Sequence, residues 1–344
     1  MAGSTIQTSV TSTNASWAPI SCTIFPDSPS HCDIVINVRR AVASISLVGC
    51  VFMIGIIWLY RKYMIFSQRL ILYLSISAFL NCTAYLMGDL HPDGPLCDFQ
   101  AFWLTYFDWT VLLWVSCVTF NLYMNVVKLR ITEKYEWAYH LLCWLFPLLM
   151  SSLPFIGDHY GPAGAWCWIK EEWQWRVGIW YGPLFCIITM MMITYIYIIV
   201  KINRRANRWE GTYDPDVEQH KQLMKNDIAV LRAYPFIYLA VSIFPLINRI
   251  QNAVDHENHV FALVLLASIS APLHGALNAI VFGMDKDTTA RLTPSQIKVA
   301  LLNHIRGHEV REYPVAYRSK EANPQAIQEL QFPKFNHVSY SRLY

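Results

Sequence analysis

Charge is scarce in this sequence: 15% of its 344 residues are Asp, Glu, Lys or Arg, whereas 54% are hydrophobic. A soluble domain carries roughly a quarter charged residues, so the apolar excess must face lipid. The formal charge of +3 is too small to imply a nucleic-acid partner, and the basic residues are scattered through short loops instead of gathered in one patch. Residues 1–37 are rich in Ser and Thr and lack the basic start and apolar run of a cleaved signal peptide. The first apolar span is therefore expected to act as its own insertion signal. Also missing are an HExxH motif, paired intramembrane aspartates and a nucleophile–base pattern, which leaves a membrane hydrolase without machinery. No enzyme activity, metal or cofactor is expected. Internal repeats and multiple buried charges, the marks of a transporter, are lacking too. The last apolar stretch holds no lysine, which excludes a retinal Schiff base at that place.

What is present is apolar length. A membrane-crossing helix needs about 20 apolar residues, and seven stretches supply them: Ala41 to Tyr60, Leu70 to Met87, Phe99 to Val127, Trp137 to Ile156, Val177 to Val200, Ala229 to Ile247 and Val260 to Met284. The fold class is thus an all-α bundle of seven transmembrane helices in the plasma membrane. An odd number of spans puts the termini on opposite sides. With the N-terminus outside, 22 of the 27 basic residues fall on the inner side, leaving Arg39, Arg40, Lys170, Arg176 and Arg249 outside, as the positive-inside rule requires. Arg39 and Arg40, at the outer end of the first span, oppose this locally, and the total decides. The domain plan is an extracellular segment (1–40), the bundle (41–284), a juxtamembrane amphipathic helix (285–306) and a flexible cytoplasmic tail (307–344). The helix is announced by Thr293-Pro294-Ser295-Gln296, a cap, a first-turn proline and a capping-box glutamine. Its apolar positions suit the inner membrane interface.

The outer face carries the groups that oxidation and glycosylation can reach. Cys97 lies just before the third span and Cys167 after the fourth. Both are placed for a disulfide that would staple the second outer loop across the bundle. Cys22 and Cys32 enclose a short loop and can also pair. Asn14-Ala15-Ser16 is a usable glycosylation sequon, whereas Asn81-Cys82-Thr83 is buried in a span. Trp166 and Trp168 flank Cys167, with Trp173 and Trp175 following. They read either as an interfacial aromatic belt or as the wall of a ligand cavity. Within the spans, only Asp108 is ionisable and deep, and it can be a ligand contact or a structural acceptor. Asn121, His274 and Asn278 read first as helix-to-helix hydrogen-bonding groups.

A set of short motifs then carries a family likeness. It runs through Cys97, Thr105-Tyr106, Leu122-Tyr123-Met124, Val127-Lys128, Glu133-Lys134-Tyr135, Leu141-Leu142-Cys143-Trp144 and Pro147. It continues in Trp166-Cys167-Trp168-Ile169, Arg176, Gly178, Tyr181-Gly182-Pro183 and Asn248-Arg249-Ile250. In these the chain resembles the slime-mould cyclic AMP receptor (class E) family and related animal orphan receptors, best between the third and sixth spans. The resemblance implies a G protein-coupled receptor whose inner loops bind a heterotrimeric G protein. Residues 121–125 read Asn-Leu-Tyr-Met-Asn without Asp-Arg-Tyr, so rhodopsin-like switch residues do not transfer. The tail lacks both the long Ser-rich region of the slime-mould receptors and any cysteine for palmitoylation.

The leading reading is a receptor that passes an extracellular small-molecule signal to a G protein. A transporter or channel is the rival, favoured if Asp108, Asn121, His274 and Asn278 line one path; a non-signalling scaffold is a third. Arg204, Arg205 and Arg208 are the expected coupling residues. Arg176 and Arg249, at positions that match the family, are expected to hold a small anionic ligand beneath Trp166 and Trp168.

Overall fold

The computed structural model describes residues 25, 28–87, 93–128, 130–163, 166–170, 172–206, 233–248, 250–252 and 259–306. Seven helices are long and apolar enough to cross a membrane: α1 (Pro29–Leu59), α2 (Phe66–Met87), α3 (Pro95–Lys128), α4 (Glu133–Phe155), α5 (Trp173–Lys201), α6 (Ala233–Asn252) and α7 (Phe261–Met284). Two shorter helices follow, α8 (Lys286–Arg291) and α9 (Pro294–Arg306). The chain divides into two compact units, Met1–Thr289, which contains the seven spans, and Ala290–Tyr344, which contains α9. Hydrocarbon offers no partner for N–H and C=O groups, so a span must pair them internally, as a helix does. Large side chains such as Val48, Ile45 and Met190 are accordingly exposed on the outside of the bundle, where lipid would cover them.

Two expected boundaries shift. The first helix starts at Pro29, not near Ala41, because helical geometry continues beyond the purely apolar run, with Ser28 as cap and proline in the first turn. Residues 29–40 are therefore helical and continuous with the first span. A separate helix, α8, fills the connection after α7.

Small residues let α1 and α7 approach closely, the usual means of helix association in membranes. A Cβ on Gly275 would lie 3.0 Å from Cys50 Sγ and 3.1 Å from Ser46 Cβ, and one on Gly49 would lie 2.9 Å from Ala279 Cβ. At this notch the Ser46 hydroxyl donates to the Pro272 carbonyl (2.6 Å) and accepts from the Ala276 N–H (3.2 Å). A side chain of α1 thus enters one turn of α7, next to its internal proline, where a helix ladder is most easily opened. At the other end of α1, Lys62 donates to Thr288 Oγ1 at 2.8 Å.

The inner ends of α2 and α4 are joined by charge. Arg69 Nε and Nη2 donate to the two oxygens of Glu136, both at 2.9 Å, and Nη2 also donates to Glu133 at 2.7 Å. This fork is the strong, geometrically specific form of ion pairing. Thr132 donates to Asn121 Oδ1 (2.8 Å), so Asn121 ties α3 to the loop that precedes α4. Three stretches wind as π-helix: Met124–Lys128, Leu141–Leu145 and Arg176–Tyr181.

The α1–α7 notch generates a direct test. Gly275→Leu should destabilise the purified protein by about 1 to 3 kcal/mol, the usual cost of overpacking. Gly55→Leu, where nothing lies within 4 Å, should leave the melting curve unchanged. Fluorescence-detected thermal unfolding in detergent reads both.

Candidate functional site

A two-stranded antiparallel hairpin, β1 (Tyr160–Pro162) and β2 (Cys167–Ile169), lies across the outer end of α3, with Tyr160 opposite Ile169 and Pro162 opposite Cys167. Strands of three residues carry no readable alternation, which is why the sequence shows only a loop here. Several bonds fix the hairpin. Cys167 is disulfide-bonded to Cys97, with their Cα atoms 5.3 Å apart, and its N–H donates to Gln100 Oε1 at 3.3 Å. The Tyr160 hydroxyl donates to the Ser151 carbonyl of α4 at 2.7 Å, and burial pushes this phenol's pKa up. Lys170 donates to Asp158 Oδ2 at 3.0 Å, a bond that raises the ammonium's pKa. His159 Nδ1 lies 2.6 Å from Glu172 Oε2, and its ring stacks on Trp175 at 4.0 Å. Cys32 is disulfide-bonded as well; Cys22, its expected partner, and Asn14 lie outside the described residues.

Beneath the hairpin is a cavity of about 150 Å³. Trp166 and Trp168 of the hairpin wall it, together with Trp180 and Phe185 of α5, Tyr238 of α6 and Val264 of α7. Its polar lining consists of Arg39, Asn81, Tyr85, Asp108, Ser242, Asn248, Ser268 and His274. Of the residues expected to bind a ligand, Asp108, Trp166 and Trp168 are therefore brought together. The tryptophans are walls, whatever they also contribute at the interface.

Arg176 is not. Its Nε and Nη2 donate to the Ile169 carbonyl at 3.0 and 2.9 Å, and its guanidinium lies over Trp168 at 5.5 Å. It clamps the end of the hairpin to α5 and does not line the cavity. Arg249 lies outside the described residues. Among the described residues, the cation on the cavity wall is Arg39, 6% exposed, with its guanidinium over Trp166 at 4.0 Å and Tyr85 at 4.4 Å. Aromatic faces on two sides favour a partly desolvated cation. The arginine that opposes the charge bias at the head of the first span thus lies on the cavity wall. The Ser28-Pro29 helix start was the signal that could have revealed it, since extending the helix from Pro29 makes Arg39 part of the bundle.

Asp108 accepts from Asn81 Nδ2 (2.8 Å) and from the Tyr85 hydroxyl (2.9 Å), both at Oδ1. His274 Nδ1 lies 2.8 Å from the Ala271 carbonyl on its own helix, so Nδ1 carries the proton and Nε2 is left as an acceptor in the neutral ring. The expected interhelical bonds of His274 and Asn278 are replaced: Nε2 of His274 and Oδ1 of Asn278 have no hydrogen-bond partner, and neither does Ser268 Oγ or Asn248 Oδ1. Buried polar atoms left this way cost about 1 to 3 kcal/mol each, a debt that a polar ligand in the cavity can offset. Asn121 and Asn278 are not on its walls, and Asn121 is engaged at the inner end, so the four polar residues do not line one path.

Seven apolar helices with a disulfide-held hairpin over a mainly apolar cavity that carries a few polar groups define a multi-pass membrane protein of the G protein-coupled receptor type, consistent with residence in the plasma membrane. The chain belongs to the slime mold cyclic AMP receptor family, whose profile matches residues 31–314. It is 27% identical over 247 residues to cyclic AMP receptor-like protein A of Dictyostelium discoideum, a match covering 71% of this chain and 62% of that protein. Similarity to G-protein coupled receptor 1 of Arabidopsis thaliana is 27% over 259 residues, or 73% and 78% of the two chains. Human G-protein coupled receptor 157 is 24% identical over 235 residues, 63% and 70% of the two chains. The first of these matches spans less than two thirds of its relative's length.

The hairpin's role is testable through its staple. Cys97→Ser and Cys167→Ser should each cut surface expression severalfold and lower the melting temperature, because loss of a native disulfide typically costs about 2 to 5 kcal/mol. Wild-type surface labelling in both single variants would show that the hairpin holds without it.

Proposed function

We propose that this protein is a receptor that binds an extracellular small molecule in the cavity beneath the hairpin and activates a heterotrimeric G protein through its inner loops. The observation that carries the reading is the cavity itself: among the described residues it has aromatic walls, a buried arginine, an aspartate and several unsatisfied polar atoms beneath a covalently fixed cover. That combination of an apolar lining with a few convergent polar groups is the usual form of a small-molecule site. The anionic group of a ligand is assigned to Arg39, because Arg39 lines the cavity and Arg176, bonded to the Ile169 carbonyl, does not. A transporter reading is disfavoured by the separation of Asn121 from the cavity.

Coupling is assigned to the inner end of α5 and the segment after it. Arg204 stands exposed on the last turn of the helix Gly182–Ala206; Arg205 follows it, and Arg208 lies outside the described residues. Only 17% of the apolar run of α5 is buried, against 67% for α3, so α3 is the central helix and α5 lies at the periphery. In this layout the N-terminus is extracellular and glycosylated at Asn14, and the helix Pro294–Arg306, with Ile297 and Leu301 among its apolar positions, suits the inner membrane interface.

Neutralising Arg204, Arg205 and Arg208 together should abolish agonist-independent G protein recruitment in cells, with surface labelling unchanged. Recruitment at the wild-type level would reduce these residues to topological anchors. Uptake of labelled solutes by the same cells, without recruitment, would overturn the receptor reading. Asn14→Gln should remove a glycosidase-sensitive mobility shift.

A further inference from the structure

The connection between α3 and α4 treats its acids and its bases differently. Both carboxylates, Glu133 and Glu136, are taken up by Arg69 of α2, at 2.7 and 2.9 Å. The three bases, Lys128, Arg130 and Lys134, are exposed and make no ion pair with any described residue. With its acids neutralised from within, the exposed face of the loop is basic. Its backbone is set as well. The Arg130 N–H donates to the Met124 carbonyl at 3.1 Å and the Tyr135 N–H to the Thr132 carbonyl at 2.9 Å, while the buried Thr132 side chain is bonded to Asn121. A loop already ordered adds little entropy cost when a partner arrives.

Position identifies the partner. Trp137, Leu141, Leu145 and Leu149 recur every fourth residue along α4, all exposed, a stripe that lipid would cover. Lys134 stands just before Trp137, with its Nζ over the Tyr135 ring at 5.0 Å, and Tyr135 and Ile131 are exposed beside it. The basic face therefore lies where acyl chains along α4 end in headgroups, with aromatic side chains at the boundary as at other membrane interfaces. Cations clustered there attract anionic lipids, and the guanidinium of Arg130 matches phosphate oxygens with a fork of N–H groups. A loop that served only to set topology would need neither a fixed shape nor internal neutralisation of its acids.

We propose that the α3–α4 loop is a binding surface for an inner-leaflet phospholipid with a multiply phosphorylated headgroup, held by Lys128, Arg130 and Lys134, its acyl chains lying along the Trp137 stripe of α4. Arg69 is a positioning residue for this surface: by occupying Glu133 and Glu136 it removes the carboxylates that would repel the headgroup. The inference stands apart from the receptor reading, which assigns coupling to α5 and the segment after it.

The test uses the full-length protein purified in detergent, with bound lipid read by native mass spectrometry. The probes are dioctanoyl phosphatidylinositol bisphosphate, dioctanoyl phosphatidylserine, dioctanoyl phosphatidylcholine and inositol trisphosphate, the last a headgroup without chains. The bisphosphate lipid should bind wild type at least tenfold more tightly than each of the others. Lys128→Gln, Arg130→Gln and Lys134→Gln combined should weaken it about tenfold or more, whereas Arg204→Gln with Arg205→Gln should leave it within about twofold. Arg69→Gln should also weaken it, and adding Glu133→Gln and Glu136→Gln to that variant should restore it; failure of the rescue would overturn the role of Arg69. Equal binding of phosphatidylserine, or wild-type binding by the triple variant, would overturn the surface itself. Inositol trisphosphate bound as tightly as the lipid would make it a site for soluble phosphates instead. Loss of G protein recruitment by the triple variant in cells, with lipid binding unchanged, would assign the loop to the G protein. If the triple variant fails to fold, the comparison of probes on wild type still decides.

Discussion

Hydrocarbon supplies no hydrogen-bonding partner, and this deprivation governs the structure at every scale. It forces the chain into helices, and it makes each deep polar side chain answerable to a neighbour. Asp108 answers through Asn81 and Tyr85, Asn121 through Thr132, and Ser46 through the backbone of α7. The account does not close everywhere: Asn248, Ser268 and His274 carry unmatched atoms on one cavity, and Asn278, Trp109 and Trp114 carry others away from it.

The outer hairpin follows a different logic, because water is available there and order must be imposed. A covalent bond to α3, a tyrosine bond to α4 and the Arg176 clamp to α5 fix it from three sides. Trp166 and Trp168 are thereby held as a rigid ceiling. One of them, Trp166, also forms part of the aromatic enclosure of Arg39. Holding the cover and shaping the charged wall of the cavity are consequently one task. This is why an arginine that resembles a ligand contact by position, Arg176, serves the site from behind its wall.

The seven spans and their likeness to a receptor family were legible because apolar length and short motifs are local properties. The disulfide was legible because compartment and placement restrict cysteine choices. Asp108 stood out as the lone deep carboxylate. Arg39 was counted but misread, since hydropathy marks where lipid begins and says little about where a helix begins. Tyr85, Trp180 and Tyr238 carried no signal at all: in a chain with this many aromatic residues, a cavity wall and a packing contact look alike until the helices are placed. Arg176 shows the converse, a motif position whose partner, a backbone carbonyl, leaves no mark in the side-chain sequence.

The Ser46 bridge has a consequence for the order of synthesis. The groups it joins are 230 residues apart, the first span to leave the ribosome and the last. Until α7 is inserted, the Ser46 hydroxyl and the Gly49 notch lack the surface they are shaped for, and α2 is the main helix that holds α1. Long-range closure of this kind comes late and slowly, so the bundle remains an open arc through most of translation. A chain interrupted before residue 261 would expose that notch to lipid and to whatever else the membrane contains.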